Sequence, residues 1–221
     1  TEEIEKRDMP MELVLLPIVE SAFDPFAYSH GRAAGMWQFI PGTGKRFGMQ
    51  QNWWYDGRRD VVASTQGALD YLTYLNEMFD GNWLHALAAY NSGEGRVQRA
   101  IKANKRAGKP TDFWNLNLPK ETRAYVPKLL ALADILKNKD EYAYAWPEVE
   151  NVAVIEVVDI GSQVDLAFAA ELAGMSLKEL HGLNPGFNRW ATSPEGPHRL
   201  ILPLDKAAAF SQALAKIDQK E

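Results

Sequence analysis

Cysteine is absent from all 221 residues, which excludes a disulfide scaffold, a thiolate metal site and a cysteine nucleophile. Long apolar runs are also missing. The longest, residues 13–19, falls far short of the roughly 20 residues that cross a bilayer, so the sequence predicts no transmembrane segment. A surplus of positive charge is missing too. The 24 Lys and Arg face 29 Asp and Glu, and this net charge of −5 argues against a nucleic-acid partner.

The composition that remains is that of a globular protein. Hydrophobic residues make up 46% of the chain and charged residues 24%, which is enough for a sizeable core and excludes general disorder. The four His have no metal-ligand spacing, and the scattered Asp do not form a calcium-loop pattern. The sequence therefore predicts neither a metal nor a cofactor.

Apolar residues at helical spacing predict a mainly α-helical domain over residues 1–145. The first helix, over residues 10–20, is apolar on every side and belongs in the interior. A second helix begins after Asp60, a good N-cap, and ends at the Asp80-Gly81 pair. Further helices are expected over residues 83–89, 95–103 and 121–137.

Residues 146–221 have a different texture and predict a small β-α-α-β domain. The β-branched run at residues 152–158 indicates a strand, and residues 199–203 a closing strand. Two short helices fit between them, over residues 166–173 and 176–183. The tail from Lys206 has helical propensity and is expected to fray.

Glu20 is the first residue with a chemical interpretation. It ends an apolar helix, and a carboxyl group held against apolar side chains has a raised pKa, so it stays protonated near neutral pH as a general acid must. The alternative is a Glu whose carboxylate reaches solvent beyond the end of the helix.

Three other segments also allow a structural and a functional interpretation. Residues 31–41 are rich in small residues. Either they let a sugar approach, with Gln38 as a hydrogen-bond donor and acceptor, or they form a loop that precedes a buried helix. In residues 88–93, Asn91 is either a ligand contact or part of a helix C-cap. In residues 121–127, Tyr125 is either functional or a core residue.

Taken together, these motifs carry a family resemblance. Glu20-Ser21, residues 35–38 (GMWQ), residues 89–91 (AYN) and residues 121–125 (ETRAY) occur in the order and approximate spacing of the family 1 lytic transglycosylases, the SLT-domain family. The runs LPIVES and WQFIP, at residues 16–21 and 37–41, most resemble the membrane-bound murein D type of that family. The resemblance covers roughly residues 10–140 and implies a lysozyme-like α-helical fold that acts on peptidoglycan.

The same resemblance implies a mechanism with one catalytic residue, Glu20. It would protonate the glycosidic oxygen between N-acetylmuramic acid and N-acetylglucosamine and then act as a base, while the muramoyl 6-hydroxyl attacks the anomeric carbon and leaves a 1,6-anhydro end. Substrate contacts are implied for five further residues: Ser21, Gln38, Tyr90, Asn91 and Tyr125. Ser21 has the alternative of orienting Glu20, and Tyr90 that of packing.

The C-terminal domain resembles a LysM module, a small peptidoglycan-binding fold. The usual Gly-Asp-Thr-Leu signature is replaced by GSQV at residues 161–164, and residues 187–197 form an insertion. The module is therefore degenerate, and it is either a weak glycan binder or a packing and spacer module.

The rival functions are a goose-type lysozyme-like hydrolase and a non-catalytic peptidoglycan-binding protein. The expected partner is the glycan strand, and the expected state is a monomer. The resemblance implies a periplasmic location, with an outer-membrane anchor in a segment that precedes Thr1.

Overall fold

A computed structural model describes residues 1–142 and 149–218. This part of the chain is mainly helical, as predicted, with one two-stranded sheet. The helices are Glu2–Glu5 (α1), Leu16–Ser21 (α2), Pro41–Arg46 (α3), Val61–Met78 (α4), Trp83–Ser92 (α5), Glu94–Arg106 (α6), Lys120–Lys137 (α7), Leu166–Leu172 (α8), Leu177–Leu183 (α9) and Leu204–Asp218 (α10). The strands are Ile155–Asp159 (β1) and Arg199–Pro203 (β2), and short 3-10 helices cover Met11–Leu15 and Phe113–Asn115. Within the described ranges, no helix has the length and apolar character needed to span a bilayer.

The contacts within the chain divide it into two compact units. The first, here called the helical unit, contains Thr1–Asp24 and the described residues from Thr65 to Tyr142. The second, the mixed unit, contains Pro25–Ser64 and residues 149–218. The boundary predicted near residue 146 lies outside the described residues, so the division into 1–145 and 146–221 stays a prediction.

The expected single helix over residues 10–20 is divided in two. Met11–Leu15 forms a 3-10 helix, and α2 follows it directly at Leu16. Pro17 explains the break, because it has no N–H to donate to the carbonyl of Leu13. The segment is nevertheless largely internal, since Leu13, Leu15 and Leu16 are all buried.

The other predicted helices of the first half are present, with boundaries that differ by a few residues. Helix α4 starts after Asp60, whose Oδ1 accepts from the backbone N–H of Ala63 at 2.7 Å, so Asp60 is the expected N-cap. Helix α5 starts after Asn82, whose Oδ1 accepts from the N–H of His85 at 3.1 Å. In the helical unit, α7 packs against α5 and α2, which brings their functional residues close together.

The sheet of the mixed unit is antiparallel, with Ile155 opposite Pro203 and Asp159 opposite Arg199. Strand β1 therefore begins three residues later than the run at 152–158 predicts. The strand pairing ends there because β2 passes directly into α10 at Leu204, whose N–H makes the last bond of the ladder, to the carbonyl of Val154.

Helix caps fix the two short helices of this unit. The Asp165 side chain accepts from two N–H groups at the start of α8, and Ser176 forms a reciprocal capping box with Glu179 at the start of α9. Helix α10 confirms the helical propensity of the tail. It covers the sheet, and its Ala207 and Phe210 are buried.

Candidate active site

Helix α2 places Glu20 in its last turn, one residue before the helix ends at Ser21. Ala22 and Phe23 then adopt left-handed backbone conformations, with φ of 53° and 62°. Such conformations cost roughly 1–3 kcal/mol for residues with a side chain, and they persist only where the surrounding structure holds them. The N–H groups of Ala22 and Phe23 bond back to Ile18 and Pro17, which closes the helix end. The position of Glu20 is thereby fixed by backbone geometry.

The Glu20 side chain is partly buried and accepts a close hydrogen bond from Tyr125. Burial raises its pKa from 4.5 to about 7. The Tyr125 hydroxyl donates to Glu20 Oε1 and opposes that rise, and the nearby charge of Glu121 adds to it. At neutral pH a large fraction of Glu20 is therefore protonated and able to donate a proton.

Two tyrosines share this environment. Burial and the charge of Glu20 raise the pKa of Tyr125 and of Tyr90 well above 10. Both hydroxyls therefore remain protonated, and that of Tyr125 donates to Glu20. The ring of Tyr90 packs against Tyr71, with ring centres 5.4 Å apart, so Tyr90 also contributes to packing.

Asn91 is held by the start of α7. Its Oδ1 accepts a 2.8 Å hydrogen bond from the Oγ1 of Thr122, a residue that is only 1% exposed. Its Nδ2 lies 3.5 Å from an oxygen of Glu121. The C-cap of α5 falls on Gly93, with φ of 86°, and not on Asn91. Asn91 thus sits inside the last turn, with an amide group oriented by a buried hydroxyl.

Ser21 belongs to the same turn as Glu20. Its Oγ donates to the carbonyl of Pro17 over a long 3.4 Å. This contact lies on the helix's own backbone and leaves both sequence-based interpretations of Ser21 open.

Gln38 lies in the mixed unit, in a turn closed by two hydrogen bonds between Ala34 and Phe39. Its backbone is left-handed, with φ of 52°. The side-chain nitrogen donates to the carbonyl of Gly35 at 2.9 Å and, more weakly, to that of Ala27 at 3.4 Å. The loop itself therefore fixes the orientation of the Gln38 amide.

The structure groups five of the six predicted site residues in the helical unit: Glu20, Ser21, Tyr90, Asn91 and Tyr125. Sequence reasoning assigned no role to Glu121 or Thr122, although both stand in the motif that ends at Tyr125. One signal for Glu121 was available. It precedes Tyr125 by four residues, so the two share a face of α7.

No group of three or more His, Asp or Glu in residues 1–142 and 149–218 is arranged to hold a metal ion. The described residues of this site offer the carboxyl group of Glu20, the hydroxyl of Tyr125 that donates to it, and the oriented amide of Asn91. Fold and site together define a mainly helical protein with one glutamate whose pKa is raised to about 7.

Comparisons with known proteins place the chain in a family. A family model described as Transglycosylase SLT domain matches residues 2–113, which is more than half of the chain. A second, described as Lytic transglycosylase MltD, LysM-like domain, matches residues 154–219. The chain belongs to the transglycosylase SLT-domain family and carries a LysM-like domain of the MltD kind.

Individual relatives agree with this assignment. The chain is 51% identical over 213 residues to proteins named membrane-bound lytic murein transglycosylase D from two Escherichia coli strains. The match covers 96% of this chain and 47% of each relative, so the chain spans about half the length of these relatives. Among solved structures, an inactive glutamate-to-glutamine variant of the lytic transglycosylase Slt from Pseudomonas aeruginosa matches with a TM-score of 0.50 and 26% identity. That match covers 65% of this chain and 24% of the Slt chain.

Proposed function

We propose that this chain is a peptidoglycan lytic transglycosylase that cleaves the β-1,4 bond between N-acetylmuramic acid and N-acetylglucosamine without water and leaves 1,6-anhydromuramoyl ends. The observation that carries the proposal is the environment of Glu20, whose pKa is raised to about 7 by burial. Family membership supports it, as does the inactive Slt variant, in which a glutamate is replaced by glutamine. A general acid works best when its pKa lies near the operating pH.

In the first step, protonated Glu20 donates its proton to the glycosidic oxygen. The bond from that oxygen to the muramoyl anomeric carbon breaks, and the N-acetylglucosamine side leaves as an alcohol. Tyr125 donates to Oε1 of Glu20, so the transferred proton is assigned to Oε2. The family resemblance adds that the muramoyl acetamido oxygen stabilises the anomeric carbon after the bond breaks.

In the second step, the carboxylate of Glu20 takes the proton from the muramoyl 6-hydroxyl, and that oxygen bonds to the anomeric carbon. Glu20 returns to its protonated form, and no water is consumed. Because nucleophile and electrophile belong to one sugar ring, their effective concentration is high, and no second carboxylate is required to form a covalent intermediate.

The remaining site residues are assigned to the substrate. Asn91 presents its amide group in the orientation that Thr122 imposes, and Gln38 presents its side-chain oxygen, because its nitrogen is bonded within the loop. Ser21 hydrogen-bonds the sugar beside Glu20. Tyr90 and Tyr125 are assigned further contacts with the substrate. By the same proposal, the protein acts as a monomer on glycan strands in the bacterial periplasm.

Mass spectrometry of the muropeptides released from purified sacculi tests this function. The expected product carries a 1,6-anhydromuramoyl end and is one water lighter than a hydrolysed end. Glu20→Gln should fold and release almost nothing. Glu12→Gln, the same chemical change at an exposed glutamate of the preceding 3-10 helix, should keep full activity.

Three results would each contradict a different part of the proposal. Reducing ends would identify a goose-type lysozyme-like hydrolase. No release by the folded native chain would identify a glycan-binding protein without catalysis. Substantial release by Glu20→Gln would remove Glu20 as the acid.

A further inference from the structure

The mixed unit contains a buried polar junction between the segment Pro25–Ser64 and the LysM-like module. Asp60, 7% exposed, is at its centre. The Tyr55 hydroxyl donates to Asp60 Oδ2 at 2.8 Å, and Nη2 of Arg199, on strand β2, donates to both carboxylate oxygens at 3.0 Å. Since a buried carboxylate without donors is costly, Arg199 and Tyr55 together fix Asp60 in this place.

Backbone pairing runs beside this junction. The N–H of Asp56 donates to the carbonyl of Gly186, and the N–H of Asn188 donates to the carbonyl of Trp54, each at 2.8 Å. The rings of Tyr55 and Phe187 are 5.3 Å apart. A side chain at position 186 would meet the Tyr55 ring at 2.8 Å, so glycine is required for this close approach. The turn after α9 therefore packs directly against residues 54–56 of the same chain.

The next contact leads from this junction to the Gln38 loop. Arg58, 6% exposed, forms two bonds to the Asp56 carboxylate, at 2.9 and 2.7 Å. Its Nη1 donates to the carbonyls of Arg32 and Phe39, at 2.8 and 3.1 Å. These two carbonyls flank the loop on both sides of Gln38. The guanidinium of Arg58 thus closes the loop at its base.

The loop needs such support because its backbone is strained. Arg32 and Gln38 have φ of 63° and 52°, and Gly35 has φ of 79°. A Cβ atom on Gly35 would overlap the carbonyl oxygen of Arg58, which shows how closely the loop lies on residue 58. Left-handed residues with side chains persist only where their surroundings hold them. Here the support comes from Arg58, which the Asp56 carboxylate holds in place.

We infer that the LysM-like module is a positioning element for the substrate loop at residues 32–39, and that Arg199 is its positioning residue, acting through Asp60 and Arg58. This inference rests on the proposed function, in which Gln38 contacts the glycan. It favours the packing role of the degenerate module over the glycan-binding role. Arg199 itself touches no substrate in this scheme.

The test uses the full chain with Arg199→Met. Loss of the guanidinium leaves Asp60 with fewer donors, and the turn at residues 56–60 loosens with the loop that it supports. With soluble glycan oligomers as substrate, we expect a roughly tenfold fall in kcat/KM that comes mainly from a higher KM. A purely structural role would lower the active fraction, which reduces kcat and leaves KM unchanged.

Matched variants isolate the effect. Lys206→Met removes a cation from the same module. The ammonium group of Lys206 donates to the carbonyl of Gly174, also in the module, so this variant should keep the native KM. Arg199→Lys keeps the charge and should recover part of the native KM. In a double-variant cycle, Arg199→Met should add little to the loss caused by Gln38→Ala, because both act through one loop.

Amide hydrogen exchange supplies a readout that is independent of activity. Residues 32–39 should exchange at least several-fold faster in Arg199→Met than in the native chain, and not in Lys206→Met. If the native chain releases no product, the proposed function fails, and this exchange still tests the positioning role. Unchanged exchange in the loop, or an unchanged KM in an active protein, would overturn the inference.

Discussion

Replacing Glu20 by glutamine tests whether the carboxyl group is truly kept from water. Glutamine has nearly the shape of protonated glutamate and does not ionise. Burial raises the pKa of Glu20 from 4.5 to about 7, so between these values the folded chain keeps a proton that the unfolded chain has lost. The native chain therefore becomes less stable as pH rises through this window. The stability contributed by the protonated group is fully present below pH 4.5 and is lost as the pH passes 7.

The size of the effect follows from the two pKa values. Their separation corresponds to roughly 3 kcal/mol of unfolding free energy, since one pKa unit is about 1.4 kcal/mol. Below pH 4 the native chain and Glu20→Gln should differ by a constant amount. Relative to that baseline, the variant should become about 3 kcal/mol more stable than the native chain above pH 8.

Thermal unfolding from pH 4 to 9 measures this difference. For a chain of this size, 1 kcal/mol moves Tm by about 2–4 °C, so the Tm gap should widen by roughly 6–12 °C. Glu12→Gln, at an exposed position of the preceding 3-10 helix, is the matched control for the loss of one carboxyl group. A Glu20→Gln gap that does not change with pH would refute the desolvated carboxyl group and, with it, the physical basis of the proposed acid.

Two further predictions concern the neighbours of Glu20 and of Asn91. Glu121→Gln removes a charge that raises the pKa of Glu20, so the alkaline limb of the kcat/KM profile should move to lower pH. Tyr125→Phe removes a hydrogen bond that lowers this pKa, so the same limb should move to higher pH. Shifts in the same direction in both variants would contradict these causes. Thr122→Val removes the hydroxyl that orients Asn91. In steady-state kinetics KM should rise several-fold, and in denaturant unfolding the stability should fall by about 1 kcal/mol. Thr122→Ser keeps the hydroxyl and should behave as the native chain.

The sequence was most informative about features that depend on residues close together in the chain. The apolar run before Glu20 allowed either a desolvated carboxyl group or one that reaches solvent beyond the helix, and the raised pKa favours the first. The period of the apolar residues predicted α4 and α7 closely, because such helices are stabilised by one continuous buried stripe. Pro17 is plain in the sequence, but apolar residues continue on both sides of it, so the break in the helix was not predicted.

Contacts between distant residues could not be predicted in the same way. Thr122 and Asn91 are 31 residues apart, and Arg199 and Asp60 are 139 residues apart, so no local pattern connects them. The segment Pro25–Ser64 gave little periodic signal, because turns, bridges and buried side-chain bonds hold it in place of long helices. Its association with residues 149–218 is decided by tertiary contacts alone.

The two units therefore carry separable parts of the proposed reaction, and kinetics can tell them apart. Tyr125 and Glu121, the two neighbours that shift the pKa of Glu20, belong to the helical unit, whereas the support for the Gln38 loop belongs to the mixed unit. Substitution of Tyr125 should thus move the pH dependence of kcat/KM. Substitution of Arg199 should raise KM and leave the midpoint of the alkaline limb where it is. A shift of that midpoint in Arg199→Met would contradict this separation of the two roles.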